Sequence, residues 1–135
     1  MQIIITILLT LFPQQDQIKI NDPWVRPSCE KMATALYFKI ENSGSLADTL
    51  FDVSSDVAEK VELHETYSDG DMMGMRKTEM IVIGGASSFE LKPGGYHIML
   101  MKLKKDINAG DEVKVILHFK VAGEINITAI AKKPN

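Results

Sequence analysis

The sequence holds one cysteine, Cys29, in 135 residues. That excludes an intrachain disulfide and any multi-thiolate site of the zinc-ribbon or iron–sulfur kind. Basic runs are equally scarce. None is longer than Lys104-Lys105 or Lys132-Lys133, and the net charge is −3. A nucleic acid needs a concentrated positive footprint, so no nucleic-acid partner is expected. No apolar run reaches the roughly 20 residues a helix needs to cross a bilayer, so no stable membrane span is expected. Helical periodicity is weak throughout, and "SSDVAEKV" could hold one helical turn at most. Catalytic motifs are missing too. Ser87-Ser88 has no His or Asp at triad spacing, and Asp69 and Asp71 lack the ligand spacing of a calcium loop. The Gly84-Gly85 and Gly94-Gly95 pairs read as turns, not as a phosphate loop before a helix. The chain is therefore not expected to be an enzyme.

What is present is mostly extended chain. An apolar run, Ile3 to Phe12, closes at Pro13 and a polar Gln14-Gln15-Asp16. Its length suits the apolar region of an export signal, although no Lys or Arg precedes it and no Ala-x-Ala follows. Residues 1–17 are read as that segment, and 18–135 as one domain with its own core. Within the domain, short alternating runs are punctuated by turn residues, the pattern of an all-β sandwich. "ATALYFKI" alternates through Leu36, Phe38 and Ile40. "DTLFDV" sets Thr49, Phe51 and Val53 on one face. "VELHET" sets Val61 and Leu63 against Glu62 and His64. "SDGDMMG" reads as a loop, and "MRKTEMIVI" as resumed extended chain. "DEVKVILHFK" turns Val113, Val115, Leu117 and Phe119 inward.

The histidines and methionines carry the chemistry. There are three of the former and eight of the latter. Methionine is common core filler, so the count alone decides nothing. In "LKPGGYHIMLM", His97, Met99 and Met101 alternate after a Pro-Gly-Gly turn. Residues i and i+2 of a strand share a side, about 6.6 Å apart. His97 and Met99 can therefore converge on one small ion while Ile98 and Leu100 enter the core. His118 alternates with Lys114, Ile116 and Lys120, which marks a solvated face. Met72 and Met73 read as flexible apolar loop residues, with transient metal contacts as the alternative, and Met101 as the floor beneath His97 and Met99. Two imidazoles and two thioethers, His64, Met75, His97 and Met99, would make a soft four-donor site. Such neutral sulfur donors favour Cu(I) over Zn, Ca or Mg.

The spacing His-x10-Met-x21-His-x-Met, with "VELHE" at its start and "LKPGGYHIMLM" at its end, resembles the PCu(A)C family of periplasmic copper chaperones. "DPWVRP", "YFKIENSG" and "KKDINAGDEVKVILHF" extend the resemblance over Ile18 to Ala131. It implies a cupredoxin-like Greek-key β-sandwich and an exposed Cu(I) site, with His64, Met75, His97 and Met99 as ligands. It also implies a protein outside the cytoplasm; a monomer is expected. The copper acceptor the resemblance implies is the binuclear copper site of cytochrome c oxidase, carried by subunit II; the alternatives are copper sequestration for tolerance, which needs the same site, and a metal-free exported β-sandwich interaction module. A blue-copper electron carrier is not expected, because that centre needs a Cys between its histidine and methionine ligands and none follows Cys29. "AIAKKPN" has none of the His- and Met-rich tail some relatives carry, so a single strong site is expected.

Overall fold

The computed structural model describes residues 17–134. The apolar run Ile3 to Phe12, and with it nearly all of the expected export segment, lies outside the described residues. Ten strands follow in chain order: β1 Ile18–Val25, β2 Thr34–Asn42, β3 Asp48–Ser54, β4 Ala58–Asp69, β5 Met72–Lys77, β6 Ile81–Ile83, β7 Ser87–Glu90, β8 Tyr96–Leu103, β9 Glu112–Phe119 and β10 Gly123–Ala131. The all-β reading holds, and "SSDVAEKV" supplies only a turn at Asp56-Val57 before β4 starts.

Hydrogen bonding runs in one path, β5-β4-β8-β2-β1-β10-β9-β3-β6, with β7 on β2. Neighbours such as β4 and β8, or β2 and β8, are far apart in the chain, which is Greek-key connectivity. The path folds over into a cupredoxin-like sandwich. A single buried cluster joins Leu36, Phe38, Leu63, Ile98 and Leu100 from one half to Leu50, Ile83, Val115 and Leu117 from the other. Each such side chain contributes about 1.5–3 kcal/mol when fully buried. The halves meet through a short parallel pairing of β1 with β10, Trp24 opposite Ile130 and Val25 opposite Ala131.

Alternation predicts most faces correctly. Val113, Val115, Leu117 and Phe119 are buried, as are Ile98 and Leu100. β3 departs from it. Leu50 and Val53 are buried while Phe51 is exposed. The pairing with β9 shifts register between Leu50 and Asp52. One extra residue reverses the alternation beyond it, so Phe51 and Val53 do not share a face. "SDGDMMG" is not a loop either. β4 runs to Asp69, Gly70-Asp71 forms a two-residue turn, and β5 begins at Met72 opposite Asp69. Gly70 has φ 63°, and a left-handed first position is what a tight II′-type hairpin asks of glycine. "MRKTEMIVI" is broken at Thr78–Met80. β5 and β6 then lie at opposite ends of the hydrogen-bonded path.

Three buried polar side chains lock the far end and the seam, each satisfied by backbone. The Asn42 amide donates to the carbonyls of Leu46, Ile83 and Gly84, tying β2 to β6. The Asp48 carboxylate accepts from Thr49, Val121 and Ala122 N–H groups. The Thr34 hydroxyl donates to the Arg26 carbonyl. Among the described residues the fourth buried polar side chain is His97, and its case differs.

Candidate metal centre

β4 and β8 pair antiparallel with His64 directly opposite His97, and Glu62 opposite Met99. β5 pairs with β4 on the other side, with Met75 opposite Thr66 and Lys77 opposite His64. Cross-strand partners point to the same side of a sheet, and so do residues i and i+2. His64, Met75, His97 and Met99 therefore share the outer face of the β5-β4-β8 ribbon. The two imidazoles occupy one rung. Met75 stands one rung to one side of them and Met99 one rung to the other. The imidazole centroids are 5.9 Å apart.

His97 is only 2% exposed, so β8 is covered on both faces at this point. Its ring lies 6.3 Å from that of Tyr37 on β2, and the Trp24 ring on β1 lies 4.7 Å beyond Tyr37, tilted 37° to it. The turn before β8 holds His97 from below. Lys92-Pro93-Gly94-Gly95 closes with Gly95 N–H donating to the Lys92 carbonyl, and Gly94 has φ 85°. Proline second and a left-handed glycine third define a type II turn. The Gly95 carbonyl accepts from the Thr66 N–H on β4 at 3.0 Å. His97 Nδ1 lies 3.3 Å from that carbonyl. Donation to a carbonyl puts the proton on Nδ1 and leaves Nε2 with its lone pair free.

His97 Nε2 is buried and has no partner, and neither His64 ring nitrogen has one. Glu62 Oε1 approaches His64 Nε2 to 3.7 Å, beyond hydrogen-bond reach. Buried polar atoms without partners each carry a desolvation cost of about 1–3 kcal/mol. Two adjacent residues with three such atoms mark a place where the fold keeps donors ready for something else.

Burial keeps the His97 imidazole neutral. Burial pushes His97 below the ordinary histidine value, more than the Gly95 carbonyl pulls it up, and the nearby His64 and Arg26 lower it further. A neutral imidazole is the form that binds a metal. Glu62 is charged. Burial raises its carboxyl, but hydrogen bonds from Lys77 and Lys60 outweigh that and bring it below the usual range. The two ammonium groups stand 3.2 and 3.4 Å from it.

Among the described residues no three His, Cys, Asp or Glu side chains converge as a ligand group. Donors completing the imidazole pair must come from elsewhere, and Met75 and Met99 are the sulfur atoms the register supplies. Met75 is 58% exposed, so this end of the cluster opens to solvent. His118 stands apart: its Nε2 lies 3.1 Å from Ser54 Oγ and its Nδ1 3.6 Å from Glu124. Cys29 is free and exposed in the β1–β2 connection. Sequence alone did not bring out Tyr37, Arg26 or the Gly95 carbonyl. Period two does place Glu62 beside His64, but β2 and β1 reach His97 only through strand pairing.

A β-sandwich of this connectivity, with paired imidazoles on the outer face beside the methionines, defines a cupredoxin-like PCuAC-type domain. The chain belongs to the LpqE-like family, described as "Putative lipoprotein LpqE-like", which matches residues 18–131. It is 32% identical over 114 residues to an uncharacterized protein of Rickettsia prowazekii, RP573, covering 81% of this chain and 63% of that relative. The chain thus spans under two thirds of that relative's length. Among solved structures it resembles the copper-bound PCuAC domain from PmoF2, with TM-score 0.73 and 28% identity over 87% of this chain and 94% of that one. It also resembles CuI-DR1885 from Deinococcus radiodurans, with TM-score 0.67 and 26% identity over 84% and 76%.

Proposed function

We propose that this chain binds one Cu(I) ion through His64, Met75, His97 and Met99 and passes it on as a copper chaperone. The observation that carries the reading is the pair of facing imidazoles with unpartnered buried nitrogens, flanked on one face by two thioethers. Neutral nitrogen and thioether donors suit a soft monovalent ion. The resemblance to a copper-bound and a Cu(I)-bound PCuAC structure supports the same metal.

Transfer rather than catalysis follows from the donor set. Thioethers carry no charge and no proton, so a thiolate-bearing acceptor can take the ion by ligand exchange. The Met75 side, exposed to solvent, is where an acceptor reaches it. The acceptor on this reading is the binuclear copper site of cytochrome c oxidase subunit II, and the protein works outside the cytoplasm. The word lipoprotein in the family's description supports export, and no described helix is long and apolar enough to cross a membrane.

Anaerobic titration against a Cu(I) chelator tests the site. It should saturate at one ion per chain, and Met75→Leu should weaken binding strongly. Unchanged affinity in both Met75→Leu and Met99→Leu would remove the thioethers from the site. Mixing the loaded protein with a dithiolate acceptor tests transfer: exchange should outpace release of the free ion. Equal rates would favour sequestration over delivery.

A further inference from the structure

The face that holds the imidazoles carries more sulfur than four-donor binding uses. On β5, Met73 lies opposite Ser68 and Met75 opposite Thr66, so both project to the imidazole side. On β8, Met99 lies opposite Glu62 and Met101 opposite Lys60. Read along the strands, the order is Met73, Met75, the His64–His97 rung, Met99, Met101, with same-strand neighbours about 6.6 Å apart. Met73 is the outermost member, one rung from the Gly70-Asp71 turn, and 72% exposed. Met72 is equally exposed, at 76%, but alternation turns it to the opposite face.

Charge is graded along the same line. Asp69 and Asp71 stand at the hairpin tip beyond Met73, Asp71 in the turn itself and Asp69, opposite Met72, turned to the other face. Lys77 stands beside His64, and Lys60 beside Met101. Arg76, the other cation on β5, faces away; its guanidinium covers Tyr67 at 4.8 Å and binds Glu65. A small cation meets carboxylates at the tip, and at the flank and base two ammonium groups that the single Glu62 carboxylate between them offsets only in part. Over distances near the Debye length of about 8 Å, that difference directs its approach.

We propose that Met73 and Met75 form an outer landing pair for a soft monovalent cation, Cu(I) or Ag(I), through which the ion reaches the imidazole site from the hairpin tip. The inference rests on the copper reading above. The ion binds first to the two thioethers. Met75 then stays bound while Met73 is exchanged for the His64 and His97 nitrogens and Met99 sulfur. Each step is a ligand substitution: no electron moves and no proton is released from sulfur. Met75 belongs to both donor groups, so the ion is never without a protein ligand in transit.

Titration of the full chain with Ag(I), followed by NMR of the methionine methyl groups and histidine rings, separates the possibilities. The first equivalent should shift the His64, His97, Met75 and Met99 signals. The second should shift Met73 while leaving Met72 in place. In Met73→Leu the second-equivalent response should vanish and stopped-flow loading should slow severalfold, while the imidazole signals still report a filled inner site. Asp69→Asn with Asp71→Asn should slow loading less, and the deficit should close at high salt. Equal response of Met72 and Met73, or an unchanged loading rate in Met73→Leu, would overturn the landing pair. A first equivalent that leaves the histidine signals unmoved would instead overturn the inner site itself.

Discussion

Two groups of buried polar atoms sit in this sandwich, and they are treated in opposite ways. At the β2–β3–β6 end, Asn42 and Asp48 are buried and satisfied, the first by three carbonyls and the second by three N–H groups. On the β4–β8 rung, His64 and His97 leave three ring nitrogens without partners. The first arrangement is what a fold needs to close its loops without cost. The second spends stability and gives nothing back to the apoprotein. Satisfied polar burial marks architecture here; the unpartnered atoms gather on and beside this rung, with Arg26 Nε, the other such atom among the described residues, next to the Tyr37 ring that His97 faces. His118 sharpens the point from the surface: beside Ser54 and Glu124 it is partnered, and it has no part in the cluster.

The contrast can be broken most forcefully at His97. His97→Leu should reduce Cu(I) affinity by more than the roughly 10–100-fold typical of losing an outer-shell partner. The same change should alter stability to urea by no more than about 1 kcal/mol, because it removes an unpaired buried polar atom along with one hydrogen bond. A large loss of stability with affinity retained would reverse the assignment.

Asp48→Ala should do the opposite. It strands buried N–H groups at Val121 and Ala122 and should cost about 3 kcal/mol in urea unfolding, with one Cu(I) still bound by the folded protein. An effect under about 0.5 kcal/mol would show that water replaces the carboxylate.

A smaller effect concerns pH. The native His97 value lies below the ordinary one, which is about 6.5 in an unfolded chain. Between those two values the unfolded chain holds a proton that the native one refuses. Acid therefore favours unfolding, and stability falls as pH drops from about 6.5 toward the native value, then levels off with respect to this group. The slope should shrink in His97→Leu. A slope of the same size in that variant would assign it to other groups.

The smallest expected change tests Glu62. Its carboxylate is held by Lys60 and Lys77 beside His64. Glu62→Gln should lower Cu(I) affinity about tenfold or less, whereas His118→Ala should leave it unchanged. Equal responses of the two variants would remove Glu62 from any role in orienting His64.

Much of this was legible in the residues. Alternation gave the inward faces of β2, β8 and β9, because a strand's side chains change sides at every step whatever surrounds them. It failed at Phe51, because a bulge is a property of two paired strands and not of one. It also hid the hairpin in "SDGDMMG", where a glycine turn joins strands too polar to look buried. The chain alone set the order and spacing of His64, Met75, His97 and Met99, and period two alone put His97 and Met99 on one side. Only the tertiary structure put β4 between β5 and β8. That pairing brings His64 opposite His97 across 32 intervening residues, with Met75 one rung away. It also set the Gly95 carbonyl beside His97 Nδ1 and the Tyr37 ring beside the imidazole. The reason is that burial and hydrogen-bond partnership are relations between strands. No stretch of one strand contains them, and they leave the imidazole nitrogens free.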